Sequence, residues 1–322
     1  MNELSQKIPE ISIVVPLYCE EMNIEAFLSA IHEVIKPLHE QFEIILVDDG
    51  SHDNTWTVIE KASFNYPMLR AIKLSRNFGK EAAISTGLEL SIGKAVIVMD
   101  GDFQHPPYLI PEMICIWREQ GVDVVEAVKQ ERGKESWWQK VGAKIFYSIF
   151  NRLTGYALHN ASDYKLIDRR VVAVWLKMGE RNLFFRGMIS WLGFKQVRIT
   201  FVVAERFIGK SRWSIFRLFR LAVTAITSFS SLPLHIVTFL GILFFLFSFV
   251  LGFQTVYLKI TGKAVSGFAT VILLLLIIGS LLMISLGIVG EYIARIYHEI
   301  KRRPRYIIDR SIDNRIDDLK NR

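Results

Sequence analysis

Two acids one residue apart close an apolar run in "VIVMDGDFQHPP", residues 96 to 107. Asp100 and Asp102, at i and i+2 after a strand-like segment, can approach one hard cation, and Mg²⁺ or Mn²⁺ takes oxygen ligands while keeping room for water and substrate phosphates. Gln104, one further alternate position along, offers an amide oxygen to the same cation. His105 is atypical for Mg²⁺ and reads as structural. Pro106 and Pro107 turn the chain away, so the acids stay at the end of the run. Asp and Gly are also ordinary turn residues, and a turn and a metal grip are compatible readings.

Such residues need a frame. The first 130 residues alternate β-branched runs, "ISIVVPLY", "FEIILVDDG", "LRAIKLSRN" and "KAVIVMDGD", with amphipathic stretches at 24 to 36, 54 to 63 and 80 to 91. Strand and helix alternating in this way predict a parallel sheet covered on both faces, which binds ligands beyond the carboxyl ends of its strands. Glu20, Asp48 with Asp49, Arg76 with Asn77, and Asp100 with Asp102 all fall at those ends. A G-x-G-x-x-G fingerprint is missing after the first run and no GKS or GKT closes a phosphate loop, which speaks against a dinucleotide enzyme and a P-loop ATPase.

The chain is 51% hydrophobic and 22% charged, and the apolar excess lies in its last third. Between Arg220 and Lys259 stand 38 residues without Asp, Glu, Lys or Arg, and between Lys263 and Glu291 another 27. Each exceeds the ~20 residues that cross a bilayer core, so spans are expected at about 232–257 and 265–290, joined as an antiparallel hairpin. Arg206, Lys210, Arg212, Arg217 and Arg220 before the hairpin, and Arg295, Lys301, Arg302, Arg303 and Arg305 after it, outnumber Lys259 and Lys263 in the link. That bias predicts a cytoplasmic catalytic domain with both termini on the same, inner side of the plasma membrane. The opening residues lack the pattern of a secretory signal, and two cysteines, Cys19 and Cys115, predict neither a structural disulfide nor a CxxC metal site. The net charge of +7 clusters beside the apolar runs, which favours anionic lipid headgroups over nucleic acid as its partner. Gly241, Gly252, Gly279, Gly287 and Gly290 leave room for close helix approach, and so for a homo-oligomer.

"SWWQKVGAKIFYSIFNRLTG", residues 136 to 155, and "SRWSIFRLFRLAV", residues 211 to 223, mix Trp and Phe with Lys and Arg at helical spacing. They read as helices lying at a membrane surface, with a core helix as the alternative.

In order along the chain, "ISIVVPLYCEEMNI", "IILVDDGSHDNT", "LSRNFGKEAAISTGL", "VIVMDGDFQHPP" and "RFIGKSRWS" resemble the successive motifs of family 2 glycosyltransferases with the GT-A fold. Within that family the resemblance is to the branch that moves a sugar onto a polyprenyl phosphate, which includes dolichyl-phosphate-mannose synthases and bactoprenol glucosyltransferases. It covers residues 11 to about 215, and the two-span tail extends it over nearly the whole chain. The domain plan it implies is a catalytic domain over 1–205 with an interface helix at about 136–152. A second interface helix and linker follow over 206–231, then the hairpin over 232–295 and a basic tail over 296–322.

The resemblance implies roles for individual residues. Pro16, Tyr18, Glu20 and Asp49, with Arg76, would hold the nucleotide. Asp100, Asp102 and Gln104 would hold the divalent metal, Arg206 and Ser211 the diphosphate side, and Arg132 and Ser136 the acceptor phosphate. Asp163, in "HNASDYKLIDRR", falls where related enzymes place an acid near the acceptor, and it either orients the acceptor and steadies the sugar cation or serves as base for a protonated phosphate. Processive members of the larger family carry Q-x-x-R-W. Here the stretch is Gly209-Lys210-Ser211-Arg212-Trp213, which together with only two spans implies transfer of one sugar. The expected reaction is inverting transfer of glucose from UDP-glucose to undecaprenyl phosphate. A mannose-transferring enzyme and, further off, a processive glycan synthase are the alternatives.

Overall fold

The computed structural model describes residues 9–129, 162–178, 185–201, 232–262, 267–301 and 303–313. They belong to two compact units, one holding the N-terminal region and the segment from Arg303 onward, the other holding Ser214–Arg302.

The first unit opens with β1 (Ile11–Leu17), α1 (Ile24–Ile35), β2 (Phe42–Asp48), α2 (Thr55–Ser63), β3 (Leu69–Leu74), α3 (Lys80–Leu90) and β4 (Ala95–Val98). These elements follow the expected alternation. There follow α4 (Ile110–Gln120), β5 (Val124–Lys129), β6 (Lys165–Asp168), α5 (Arg169–Lys177), α6 (Phe185–Trp191), β7 (Gln196–Phe201) and β8 (Ile308–Asp313). The eight strands form one sheet in the order β7-β5-β6-β4-β1-β2-β3-β8, and the pairings β1·β2, β1·β4, β2·β3 and β5·β7 are parallel. Ile11, Ile13, Val14 and Val15 of β1 and Val96, Ile97 and Val98 of β4 are all fully buried, because helices cover both faces.

Strand order reverses beside β1, with β2 on one side and β4 on the other, which opens a crevice beyond their carboxyl ends. β6 is antiparallel to β4, with Val98 opposite Lys165, so the residues leading into β6 reach the rim where β4 ends. That reversal brings Asp163 to Asp100.

β8 departs from the sequence reading, which assigned residues 296–322 to a basic tail. Ile308–Asp313 instead pairs antiparallel with β3, from Arg70↔Asp313 to Leu74↔Ile308. Arg70 donates to Asp313 at 3.0 Å and to the buried Glu43 at 3.1 Å, tying the edge strand to the sheet's interior. A six-residue strand rich in charge carries little β signal of its own, and pairing with β3 supplies the rest.

The second unit contains α7 (Leu232–Ile260) and α8 (Phe268–Ile300), both long and apolar enough to cross a membrane. At 29 and 33 residues they run to about 44 and 50 Å, beyond the ~30 Å hydrocarbon layer. α8 begins three residues later than the expected span and continues past Gly290 through Glu291 to Ile300, since a helix can extend into the headgroup layer and beyond. The interface segments expected at 136–152 and 206–231 lie outside the described residues.

Candidate active site

β1 delivers Tyr18, Cys19 and Glu20 to the rim. Cys19 takes a left-handed φ of +56°, and the turn is fixed from the next loop: Cys19 N–H donates to Ser51 Oγ at 2.9 Å and Glu20 N–H to Thr55 Oγ1 at 3.0 Å. Tyr18 is 45% exposed and sits edge-on to His52, an apolar surface open to a ligand. Pro16 lies within β1, opposite Val47.

β2 ends in two acids with inward tasks. Asp48 accepts the Ser51 N–H at 2.9 Å. Asp49 accepts the amides of Phe78 at 2.7 Å and Gly79 at 2.9 Å, so its carboxylate shapes the loop between β3 and α3. Burial pushes the Asp49 carboxyl up, against the pull of those two amides. Gly50 lies against this loop with φ of +66°, and a Cβ there would stand 2.3 Å from the Arg76 carbonyl carbon. Arg76 is exposed, its guanidinium 4.0 Å above the Phe78 ring.

The turn after β4 is pinned from beneath. Asp100 N–H donates to His105 Nδ1 at 2.8 Å, and His105 is buried and stacked on Tyr164 with ring centroids 5.1 Å apart. Nδ1 therefore carries no proton, so His105 is uncharged and supports the turn. Asp102 Oδ1 accepts the Gln104 N–H at 3.0 Å, and Phe103, at φ of +62°, packs edge-on against Phe27. A Cβ on Gly101 would meet Leu17 Cδ2 at 2.6 Å, so a larger residue between the two acids requires the Leu17 side chain to shift.

Glu20, Asp53, Asp100 and Asp102 converge on this crevice. Burial raises the Glu20 pKa first, its hydrogen bond from Asn23 opposes that, and repulsion from Asp102, Asp100 and Asp53 adds to the rise. Carboxylates that repel one another at a strand end suit a hard divalent cation. Among the described residues no group of three or more His, Cys, Asp or Glu side chains is placed to hold a metal ion by itself.

Asp163 meets this cluster from β6. It is almost fully buried, and Arg186 of α6 grips it with two hydrogen bonds, Nε to Oδ1 at 2.6 Å and Nη2 to Oδ2 at 2.8 Å. Lys80, the first residue of α3, lies 2.6 Å from Asp163 and 2.6 Å from Asp100. Burial pushes the Asp163 carboxyl up, but the Arg186 hydrogen bonds and the charges of Lys80 and Arg186 outweigh it and hold the group well below the usual carboxylate range. Glu81 accepts the Phe185 N–H at 2.9 Å, and burial together with Asp163 pushes its carboxyl up to about 7.

Thus Glu20, Asp100, Asp102 and Asp163 come together at one rim, and Asp49 and Arg76 shape its flank. Arg132, Ser136, Arg206 and Ser211 lie outside the described residues. Sequence reasoning passed over Lys80, Glu81 and Arg186. The first two follow β3 at the same rim and were within reach of the strand-end argument; Arg186 gave no signal, because only the fold brings α6 to Asp163.

Residues 12–175 match glycosyl transferase family 2. An uncharacterized glycosyltransferase of Synechocystis is 39% identical, covering 93% of this chain and 94% of that one. A prophage bactoprenol glucosyl transferase homolog of Escherichia coli is 36% identical over 94% of this chain and 99% of its own length. An SfII prophage-derived bactoprenol glucosyl transferase of Shigella flexneri is 35% identical over 94% and 98%. With a match spanning half its length and relatives that align from the sheet through both apolar helices, this chain is a glycosyltransferase of family 2.

Proposed function

We propose that this enzyme transfers one glucose from UDP-glucose to the phosphate of a polyprenyl phosphate, undecaprenyl phosphate in kind, at the cytoplasmic face of a membrane and with inversion. The observation that carries the reading is likeness to bactoprenol glucosyl transferases over 94% of this chain, apolar helices included. The pairing of β8 with β3 supports the topology, because strands before and after the two apolar helices share one sheet and so need an even number of crossings. Lys and Arg flanking the helices favour the cytoplasmic side for that sheet.

Asp100 and Asp102, with Gln104 beside them, are the residues to hold Mg²⁺ or Mn²⁺, which when bound neutralises charge on the departing diphosphate. Tyr18 and Glu20 border the nucleotide side with Pro16 and Arg76 nearby, and Asp49 holds that flank in shape. From the resemblance, Arg206 and Ser211 serve the diphosphate, and Arg132 and Ser136 the acceptor phosphate. The acceptor is an anion near neutral pH, so its oxygen attacks the anomeric carbon without a base, and the bond from that carbon to the diphosphate oxygen breaks. One displacement inverts the centre. Asp163, kept ionised by Arg186 and Lys80, orients the acceptor side and steadies positive charge on the sugar.

Membranes containing the protein, incubated with polyprenyl phosphate, Mg²⁺ or Mn²⁺ and a panel of nucleotide sugars, test this directly. The expected product is a β-linked glucosyl lipid phosphate, identified by mass and anomeric configuration. An α-linked product overturns the single displacement, and another sugar overturns the donor assignment.

A further inference from the structure

Two cations surround Asp163, and they are held differently. Arg186 is locked by a two-pronged contact to both carboxylate oxygens. Lys80 Nζ reaches one oxygen of Asp163 at 2.6 Å and both oxygens of Asp100, at 2.6 and 2.8 Å, from a side chain that is 39% exposed. A guanidinium in a fork is fixed in direction, whereas an ammonium on a four-carbon stem is a point charge that can swing. If Lys80 leaves, Asp163 keeps Arg186. Asp100 would then face His105, whose Nδ1 already accepts the Asp100 N–H and bears no charge.

Asp100 therefore has competing claims on it. An ammonium at 2.6 Å and a divalent cation on the same carboxylate would set like charges a few ångströms apart in a partly buried crevice. We propose that Lys80 is the exchangeable cation of this site: it holds Asp100 and Asp163 together until a divalent cation takes Asp100, then turns to a phosphate oxygen of the substrate while staying in reach of Asp163. This rests on the glycosyltransfer reading above and adds to it an order of events, with the cation seated first and the positive charge for phosphate released by that seating. Lys80 is then a residue that contacts substrate only in the loaded enzyme. The phosphate belongs to the donor diphosphate or to the acceptor, and the two are separable.

The test uses the full chain in detergent and equilibrium binding, so it reads out whether or not sugar is transferred. Mn²⁺ binding without nucleotide is measured by electron paramagnetic resonance for the natural protein, Lys80→Met, Lys80→Gln and Lys80→Arg, with melting temperatures to establish that each is folded. Removing the competing ammonium is expected to tighten Mn²⁺ roughly threefold to tenfold in the Met and Gln variants, with Arg close to the natural protein. UDP binding in Mn²⁺, and separately polyprenyl phosphate binding, are then compared. Weaker UDP binding in Lys80→Met assigns the swing to the donor; weaker polyprenyl phosphate binding with UDP unchanged assigns it to the acceptor. Unchanged or weaker Mn²⁺ binding in a folded variant overturns the proposal. So does tighter Mn²⁺ binding with both phosphate affinities intact, or an absence of Mn²⁺ binding by every form.

Discussion

Asp163 and Arg186 face each other through two hydrogen bonds, 2.6 Å from Nε and 2.8 Å from Nη2, and Lys80 adds a third contact at 2.6 Å. A carboxylate held by three donors from two cations is strongly biased to its ionised form. Such a group is a poor proton acceptor at neutral pH and a good fixed negative charge.

Asp163→Asn accordingly removes the charge with little change in shape. Turnover is expected to fall by roughly a hundredfold or more, the scale of losing a preorganised electrostatic contact, while UDP affinity changes by less than about threefold. The pH profile of kcat/KM in the natural enzyme separates the two roles of Asp163: a fixed charge contributes no ionisation between about pH 5 and 8. A limb in that range that vanishes in Asp163→Asn would restore the general base.

β1, β2 and β4 were readable because each is an apolar, largely β-branched run ending in acids or a turn, as strands buried on both faces have to be, and β3, "LRAIKL", was readable from its place in the alternation. The same logic located Asp100 and Asp102. It did not reach Arg186, whose partner lies 23 residues away in sequence and whose role is set by where α6 packs. Nor did it find the reversed direction of β6, since "KLID" is apolar enough to be a strand but too short to declare its orientation. β8 reads as a tail for a related reason: three of its six residues, Asp309, Arg310 and Asp313, are charged, so its strand signal comes from pairing with β3 and not from its own residues.

Glu81 makes stability depend on pH with a defined sign. Its carboxyl is raised from 4.5 to about 7 by burial and by Asp163, so between those values the folded chain holds a proton that the unfolded chain has released. Stability therefore falls as pH rises through that window, by no more than about 3 kcal/mol, and levels off above it. Glu81→Gln keeps an acceptor for the Phe185 amide and has nothing to ionise. The difference in melting temperature between pH 5 and pH 8 should be smaller in Glu81→Gln than in the natural protein; equal differences would remove Glu81 from the account.

Gly50→Ala tests the flank of the nucleotide side. The position has φ of +66°, and the added Cβ would stand 2.3 Å from the Arg76 backbone. Backbone strain alone costs about 1–3 kcal/mol, and the clash pushes the Arg76–Gly79 loop off the Asp49 carboxylate. The expected outcome is a lower melting temperature together with UDP binding weakened by about tenfold or more, since displacement of a positioning loop is costly. A variant that melts lower yet binds UDP normally would separate this loop from the nucleotide.

Deleting residues 306–322 examines whether the segment after α8 serves the catalytic rim. β8 covers the open edge of β3, and Ile307 C=O accepts the Ser75 N–H at 2.9 Å, where β3 leads into the loop that Asp49 holds. Arg70 loses Asp313 but keeps Glu43 and the Leu90 carbonyl, so Asp313→Ala by itself should cost about 1 kcal/mol or less. The deletion removes a row of backbone hydrogen bonds and exposes a buried edge, with an expected loss of at least about 3 kcal/mol. UDP binding should weaken in the deletion and not in Asp313→Ala, because the slack appears at Ser75 and passes to Phe78 and Gly79. Should the shortened chain melt and bind UDP as the natural one does, β8 would be an edge cover with no part in shaping the site.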